Sequence, residues 1–219
     1  MRPGKIVCVG RNYREHAKEL GNEVPAEPLI FLKPPSSVIG NGEEIMLPRV
    51  SNQVEFEGEI GIVIGKTLRA ADEYDATDAI RGIVALNDVT ARDLQKTDGQ
   101  WTRAKGFDTF CAVGEEVAPV RDLGAIEVRT RVNGVEKQRA RATEMVFSIP
   151  KILSYISHIM TLEPGDLIAT GTPAGVGRLS PGDTVEIDLV DTSTSTHAKP
   201  LASVSNPVVA SPAPNPAPR

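Results

Sequence analysis

Cysteine is almost missing: the chain of 219 residues has only Cys8 and Cys111. Two thiols in apolar settings (IVCVG and DTFCAVG) make no disulfide framework and read as buried free thiols of a reducing, cytoplasmic compartment. Aromatic residues make up 4%, too few for a base-stacking platform. Positive charge is not in excess either. Against 24 Lys and Arg stand 29 Asp and Glu, a formal net charge of −5, so neither nucleic acid nor an anionic membrane is an expected partner. No apolar run approaches the length of a membrane span. The basic start, MRPGKIVCVGRNY, has an apolar stretch that ends at Arg11, too short for a signal peptide. What remains is an ordinary globular composition with 40% hydrophobic residues, enough to bury a core without a disulfide or a metal.

Short strands dominate the pattern. Lys5–Gly10, Leu29–Lys33, Glu43–Leu47, Ile83–Val89, Leu167–Thr170 and Thr184–Leu189 read as strands. In Gln53–Gly65 (QVEFEGEIGIVIG), Val54, Phe56, Ile60, Ile62 and Ile64 share one parity, and Glu55, Glu57, Glu59 and Val63 the other. Strand side chains alternate faces, so the carboxylates are expected on one face and the apolar set on the core. Asn133-Gly134 predicts a type I′ hairpin within Glu127–Ala140. Helices are expected at Asn12–Leu20, ended by Gly21, at Asp75–Arg81, and at Ser148–Met160 with Pro150 in its first turn. Many strands and few helices without regular alternation predict an α+β domain or β-roll over residues 1–209. The closing ASPAPNPAPR, residues 210–219, reads as a disordered tail.

Four constellations could carry chemistry. Glu57-x-Glu59 projects two carboxylates from one strand face. Such neighbours repel unless a cation, a proton or basic groups compensate, and a hard divalent ion suits their oxygens. Taken alone, the pair also suits a solvated strand face, with Glu55 a further surface acid. Asp88 follows an apolar strand where a buried element opens into a loop, a place for a site or simply a turn. His16 and Glu19, i and i+3 on a helix, could form an acid/base pair or a surface contact. Gly171-Thr172-Pro173-Ala174-Gly175-Val176-Gly177 offers backbone N–H groups and a hydroxyl to an anion, or is a glycine-rich hairpin connection.

Six blocks in order change the weight of these features together: GRNYREHAKELG, EPLIFLKPPSSVIG, VEFEGEIGIVIGK, LNDVTARDLQ, WTRAKGFDTFCAVG and TGTPAGVGRLSPGD. Across residues 4–190 the chain resembles the fumarylacetoacetate hydrolase family, nearest to its short acylpyruvate hydrolase and oxaloacetate decarboxylase branch. The resemblance implies a mixed β-sandwich roll of α+β class, a mobile N-terminal lid helix, a homodimer and Mg²⁺ or Mn²⁺. It assigns Glu57, Glu59 and Asp88 to the metal, Lys105 to the active-site lysine, and Arg92, Gln95 and Thr172 to the substrate. His16 and Glu19 become the dyad of the lid. The expected reaction is metal-dependent hydrolysis of the C3–C4 bond of a small 2,4-dioxo acid, an acylpyruvate, to pyruvate and a carboxylic acid. The same chemistry supports oxaloacetate decarboxylation or tautomerisation, and isomerisation of 2-oxo-enedioates in aromatic-acid catabolism. One departure is the Ser/Thr-rich Asp191–Lys199, which leaves the dimer edge or the final strand open to change.

Overall fold

The computed structural model describes residues 2–193 and 199–212. The first half runs β1 (Ile6–Gly10), α1 (Arg14–Glu19), β2 (Leu29–Lys33), β3 (Val38–Ile39), β4 (Ile45–Leu47), β5 (Val54–Phe56), β6 (Gly58–Ile64), α2 (Glu73–Asp78) and β7 (Ile80–Asp88). Then come β8 (Thr90–Ala91), α3 (Arg92–Thr97), α4 (Thr102–Lys105) and β9 (Cys111–Val113). The rest is the hairpin β10 (Ile126–Val132) and β11 (Val135–Arg141), α5 (Ile149–Ile159), β12 (Leu167–Ala169), β13 (Gly177–Arg178), β14 (Thr184–Asp191) and β15 (Ala202–Ala210).

A seven-stranded sheet, order β2-β1-β12-β6-β7-β9-β3, faces a five-stranded sheet, order β11-β10-β14-β15-β4. Within them β1–β12, β3–β9 and β15–β4 are parallel pairs, so both sheets are mixed. A small third sheet, β13-β5-β8, closes one end. This is the α+β sandwich expected from the sequence. Its core is the even parity of β6 (Ile60, Ile62, Ile64) and Ile83 and Ala85 of β7, packed on Ile126, Val128, Ile187, Leu189 and Val204 of the opposite sheet. Each such isoleucine, fully buried, contributes about 1.5–3 kcal/mol.

Helix α5 completes this core because Ile149, Ile152, Leu153 and Ile156 fall on one face. Ser148 caps it by accepting from the Lys151 N–H, and Pro150 stands in the first turn, where no N–H is missed. The hairpin turn is as expected, with Asn133 and Gly134 both at positive φ (52° and 77°). Both predicted thiols are free and buried. Burial pushes the Cys111 thiol up to about 12, so it is an inert packing group.

Some elements differ from the sequence expectation. The predicted strand over Gln53–Gly65 breaks at Glu57 into β5 and β6, which pair in different sheets. Its acidic parity is buried too, Glu55 included, so that face is not solvated. Helix α2 starts earlier than predicted because Asp72 caps it by accepting from the Asp75 N–H, and it ends before Ile80 and Arg81, which enter β7. Helices α3 and α4 occupy a stretch to which the sequence reading assigned no element. Strand β15 follows the Ser/Thr-rich segment as a final strand and takes in Ala210, the first residue of the expected tail. The centre of the Ser/Thr-rich segment (194–198) and most of the proline-rich tail (213–219) lie outside the described residues. Among the described residues no helix is long and apolar enough to cross a membrane.

Candidate metal centre and active site

Antiparallel pairing of β6 with β7 sets Gly58 opposite Asn87 and Glu59 opposite Leu86. Beyond that pairing the Asp88 N–H donates to the Glu57 carbonyl (2.9 Å), and the Glu57 N–H donates to Asn87 Oδ1 (3.0 Å). The strand break is thereby pinned, and Glu57, Glu59 and Asp88 each bring one carboxylate oxygen within 4.8 Å of the others. All three are buried. Burial, then the charges of Asp88 and Glu57, hold the Glu59 carboxyl well above the usual carboxylate range. Burial also works to raise Glu57, but Lys105 and Arg92 outweigh it and hold that carboxyl well below the usual range. Three converging hard oxygens, one of them with no basic side chain bonded to it among the described residues, fit a divalent cation of the Mg²⁺ or Mn²⁺ kind.

Three buried cations surround these acids. Lys105, at the end of α4, donates to Glu57 Oε2 (2.8 Å) and Asp88 Oδ2 (2.7 Å), and its ammonium sits 4.9 Å from the Phe31 ring centre. Burial works against its charge, yet Asp88 and Glu57 prevail and raise its pKa, so it stays protonated. Arg92 opens α3 and reaches back: Nε donates to Glu55 Oε2 (2.8 Å), Nη2 to Glu57 Oε1, and Nη1 to Gln95 Oε1. Lys33 closes β2 and donates to Asp88 Oδ1 (2.6 Å) and the Val89 carbonyl (3.2 Å).

The other walls come from α1 and the glycine-rich turn. His16 Nδ1 lies 3.2 Å from Glu19 Oε2, and Glu19 Oε1 accepts from the Gly175 N–H (3.0 Å). Hydrogen bonding of Nδ1–H to Glu19 leaves Nε2 as the free basic nitrogen. The ring is buried on the site side of a helix whose Arg14 and Glu15 are exposed. Gly171 donates its N–H to Glu59 Oε2 (2.7 Å), a turn that needs φ +100° and passes so close to Asn12 that a Cβ would meet its side chain at 2.7 Å. The Thr172 hydroxyl donates to the Gly58 carbonyl (2.9 Å) and accepts from Gln138 Nε2 (2.8 Å). A cavity of about 420 Å³ joins His16, Glu19, Glu57, Glu59, Arg92, Gln95, Lys105 and Thr172, with Phe31 and Trp101 as apolar wall. Asp88 alone of the nine predicted site residues does not line it and lies beneath, wholly buried.

Residues 5–209 match the family described as fumarylacetoacetate (FAA) hydrolase, C-terminal. The chain belongs to this family. It is 46% identical over 189 residues to a mitochondrial oxaloacetate decarboxylase of Dictyostelium discoideum, covering 83% of this chain and 84% of that protein. The crystal structure of a 2-hydroxyhepta-2,4-diene-1,7-dioate isomerase from Mycobacterium marinum is similar with a TM-score of 0.85 at 45% identity, over 96% of this chain and 76% of that one. That of a fumarylpyruvate hydrolase from Pseudomonas aeruginosa, in complex with Mn²⁺ and pyruvate, gives 0.84 at 30% identity, over 94% and 90%. Fumarylacetoacetate hydrolase relatives thus include a decarboxylase, an isomerase and a hydrolase, one of them with a divalent metal.

Sequence reasoning passed over four supporting residues. Lys33 ends an apolar strand and reads as an edge lysine until Asp88 is placed beside it. Glu55 reads as a solvent-facing acid until Arg92 folds back on it. Asn12 ties β1 to the turn: Nδ2 donates to the Phe147 and Thr170 carbonyls, and Oδ1 accepts from the Phe147 N–H. Gln138 is 1% exposed on a strand that otherwise alternates into solvent, and only that burial marks it. Its Oε1 accepts from the Gly58 N–H (3.0 Å), and its amide donates to Thr172 Oγ1 and the Pro173 carbonyl. Gly58 stands between Glu57 and Glu59, so Gln138→Leu should loosen these two candidate ligands and the turn together. The expected result is a roughly 10–100-fold loss of metal affinity, the scale of lost outer-shell partners. Unchanged Mg²⁺ binding by calorimetry would remove Gln138 from this role.

The raised Glu59 pKa sets a pH dependence. A proton held on Glu59 must leave when a cation binds, so Mg²⁺ affinity should rise about tenfold per pH unit while that group is protonated. The stability signs are opposite for the two glutamates. Glu59 takes more protons folded than unfolded, so its contribution to metal-free stability falls as pH rises above the ordinary carboxylate value of 4.5. Glu57, held low, contributes stability that is present above 4.5 and lost as pH falls. Calorimetry in buffers of different ionisation enthalpy should count about one proton released per ion. A pH-independent affinity would contradict the assignment.

Proposed function

We propose that this chain is a metal-dependent hydrolase that cleaves the C3–C4 bond of an acylpyruvate. The observation that carries the reading is the buried His16, paired with the more exposed Glu19, across one cavity from Glu57 and Glu59, with Asp88 beneath them. Those three acids would hold Mg²⁺ or Mn²⁺, which when bound supplies Lewis acidity toward the substrate's 1-carboxylate and 2-oxo oxygen. His16 Nε2 takes a proton from water as its oxygen bonds to C4. Glu19 fixes the ring and offsets the charge it gains. The C3–C4 bond breaks with its electron pair on C3, and the proton carried by His16 passes to C3. A carboxylic acid and pyruvate are the products. Lys105 stays charged and offsets the negative charge that builds on the 2-oxo side. Thr172 and Gln95 orient the bound acid.

A second reading is supported by the 46% identity to an oxaloacetate decarboxylase. Loss of CO₂ from oxaloacetate, or shift of its proton between C3 and oxygen, uses the same acids and Lys105 but no attacking water. Isomerisation of a 2-oxo-enedioate is a further proton shift of that kind. The test is a panel of acetylpyruvate, fumarylpyruvate and oxaloacetate with Mg²⁺ and direct product identification. Pyruvate plus the matching carboxylic acid supports hydrolysis. Pyruvate with CO₂ from oxaloacetate and no cleavage of the acylpyruvates, or a rearranged substrate, supports the second reading.

A further inference from the structure

Two aromatic rings divide the space beside the candidate metal centre. Phe31 of β2 and Trp101, the residue that precedes α4, meet edge to face, with ring centres 5.2 Å apart and planes at 73°. On one side they form the apolar wall of the site cavity. On the other they face a second cavity of about 950 Å³ beside β2, the edge strand of the larger sheet. Leu29, Ile30, Leu32, Pro34 and Pro35 line that second cavity, and the three acids, His16 and Thr172 take no part in its lining. Arg11, at the rim, borders both spaces as well. Both rings are half-buried, as a partition between two open spaces requires.

The site itself holds this partition in place. The Lys105 ammonium, bound to Glu57 and Asp88, rests 4.9 Å from the Phe31 ring centre. The Lys105 N–H donates to the Trp101 carbonyl (2.9 Å), so the turn that carries the lysine to the acids also carries the indole. Gly10 closes on the indole from β1: a Cβ there would stand 2.9 Å from Trp101 Cζ3 and 3.1 Å from Cη2. The pair therefore has a fixed place relative to the oxygens that would hold the ion. Within the site cavity the polar groups gather at the acids, His16 and Thr172, while Val9, Phe31 and Trp101 offer apolar surface. An acyl chain has no polar group beyond C4 to bond, so it packs on that surface, and the surface ends at the two rings.

We propose that Trp101, braced by Phe31 and Gly10, limits the length of the acyl chain, so that the enzyme takes short-chain acylpyruvates and the second cavity lies out of their reach. The inference rests on the metal-dependent 2-oxo acid reading above and deepens it by naming the acyl class. Under apolar cover each added methylene raises affinity about fourfold. At the partition that gain ends, and a longer chain has to push the indole off Gly10 or turn back into water. Removing the indole joins the two cavities and offers the chain Leu29, Ile30, Leu32 and the two prolines.

Straight-chain 2-oxo acids without a 4-oxo group have no bond to hydrolyse, and they read the partition apart from catalysis. Calorimetry on the Mg²⁺-loaded full chain compares 2-oxobutanoate, 2-oxohexanoate and 2-oxooctanoate. The wild type should bind 2-oxooctanoate at least tenfold more weakly than the better of the shorter two. In Trp101→Ala the order should invert, with affinity rising through 2-oxooctanoate by about fourfold for each methylene that enters the second cavity. Trp101→Leu, a smaller cut, should move the limit part-way and carries the test if the alanine variant does not fold. Leu32, 50% exposed, lines the second cavity and not the first. Leu32→Asp added to Trp101→Ala should cancel the gain for 2-oxooctanoate, and alone it should leave 2-oxobutanoate binding unchanged. Affinity that climbs with length in the wild type, or a limit that stays put in the Trp101 variants, overturns the proposal. In parallel, kcat/KM for acetylpyruvate against octanoylpyruvate should show the same limit and the same release. A limit that moves with Trp101, in a protein that hydrolyses neither compound, would keep the partition and discard the hydrolase reading. Equal hydrolysis of both by the wild type would do the reverse.

Discussion

Asp88→Asn should eliminate turnover and lower Mg²⁺ affinity by at least about 100-fold, more than loss of an outer-shell partner costs. The carboxylate is wholly buried, and each oxygen accepts from a different ammonium, Lys33 at 2.6 Å and Lys105 at 2.7 Å. An amide in its place removes the charge that both lysines face and points hydrogens at one of them. Breaking a buried pair from one side typically costs about 3–5 kcal/mol, so the single variant should also melt earlier. The double variant Asp88→Asn with Lys33→Met separates the two effects. Lys33 loses its reason to be charged, and its stem is replaced by an apolar side chain of similar length. Stability should largely return while metal binding and turnover stay lost. The wild type stripped with EDTA should likewise be inactive and recover with Mg²⁺ or Mn²⁺. Activity that survives EDTA would show that the three carboxylates serve the fold alone.

The shared face of Glu57 and Glu59 was legible because strand alternation is a local property, while their grouping with Asp88 as candidate metal acids came from the family resemblance. Glu57 and Glu59 share a parity whatever surrounds them, and Asp88 follows an apolar run that has to end somewhere. The break at Glu57 was not legible, since it depends on Val54–Phe56 pairing with β8 and β13 while Gly58–Ile64 pairs with β7 and β12. Pairing partners are set by residues far along the chain. The same limit hides Lys33, whose acid is 55 positions away, and Gln138, whose partners are Gly58 and the turn at Thr172. Polar residues that support a site from behind carry no spacing of their own. They become visible only as buried polar groups with satisfied hydrogen bonds.

Helices show the same division. The period of Ile149, Ile152, Leu153 and Ile156, with Ser148 before it, fixes α5 locally. Helices α3 and α4 are six and four residues long, below the length at which a period can be read. Their place is fixed by Arg92 folding back on Glu55 and Glu57 and by Lys105 reaching Glu57 and Asp88. In that segment the site's charges organise the backbone as much as the backbone organises the site.

His16→Ala should lower acylpyruvate hydrolysis by about 10²–10⁴-fold, the usual contribution of a general base. Metal binding should be unaffected, because the ring makes its hydrogen bond to Glu19 and not to the carboxylates that would hold the ion. Glu19→Ala should act in the same direction but less strongly, since Glu19 orients the ring and carries no proton in the reaction. It should also free the Gly175 N–H and loosen the glycine-rich turn. His16→Gln restores a polar group of similar reach without a basic nitrogen, and it should not restore hydrolysis. Oxaloacetate decarboxylation, where present, asks nothing of an activated water and should fall much less than hydrolysis in the same His16→Ala preparation. A proton shift within oxaloacetate would still use the histidine and should fall with hydrolysis. Measuring all three reactions on one preparation therefore reads the role of the ring directly. Hydrolysis that persists unchanged would take the dyad out of the mechanism. Equal loss of every reaction, decarboxylation included, would make His16 a residue that holds α1 over the cavity and nothing more.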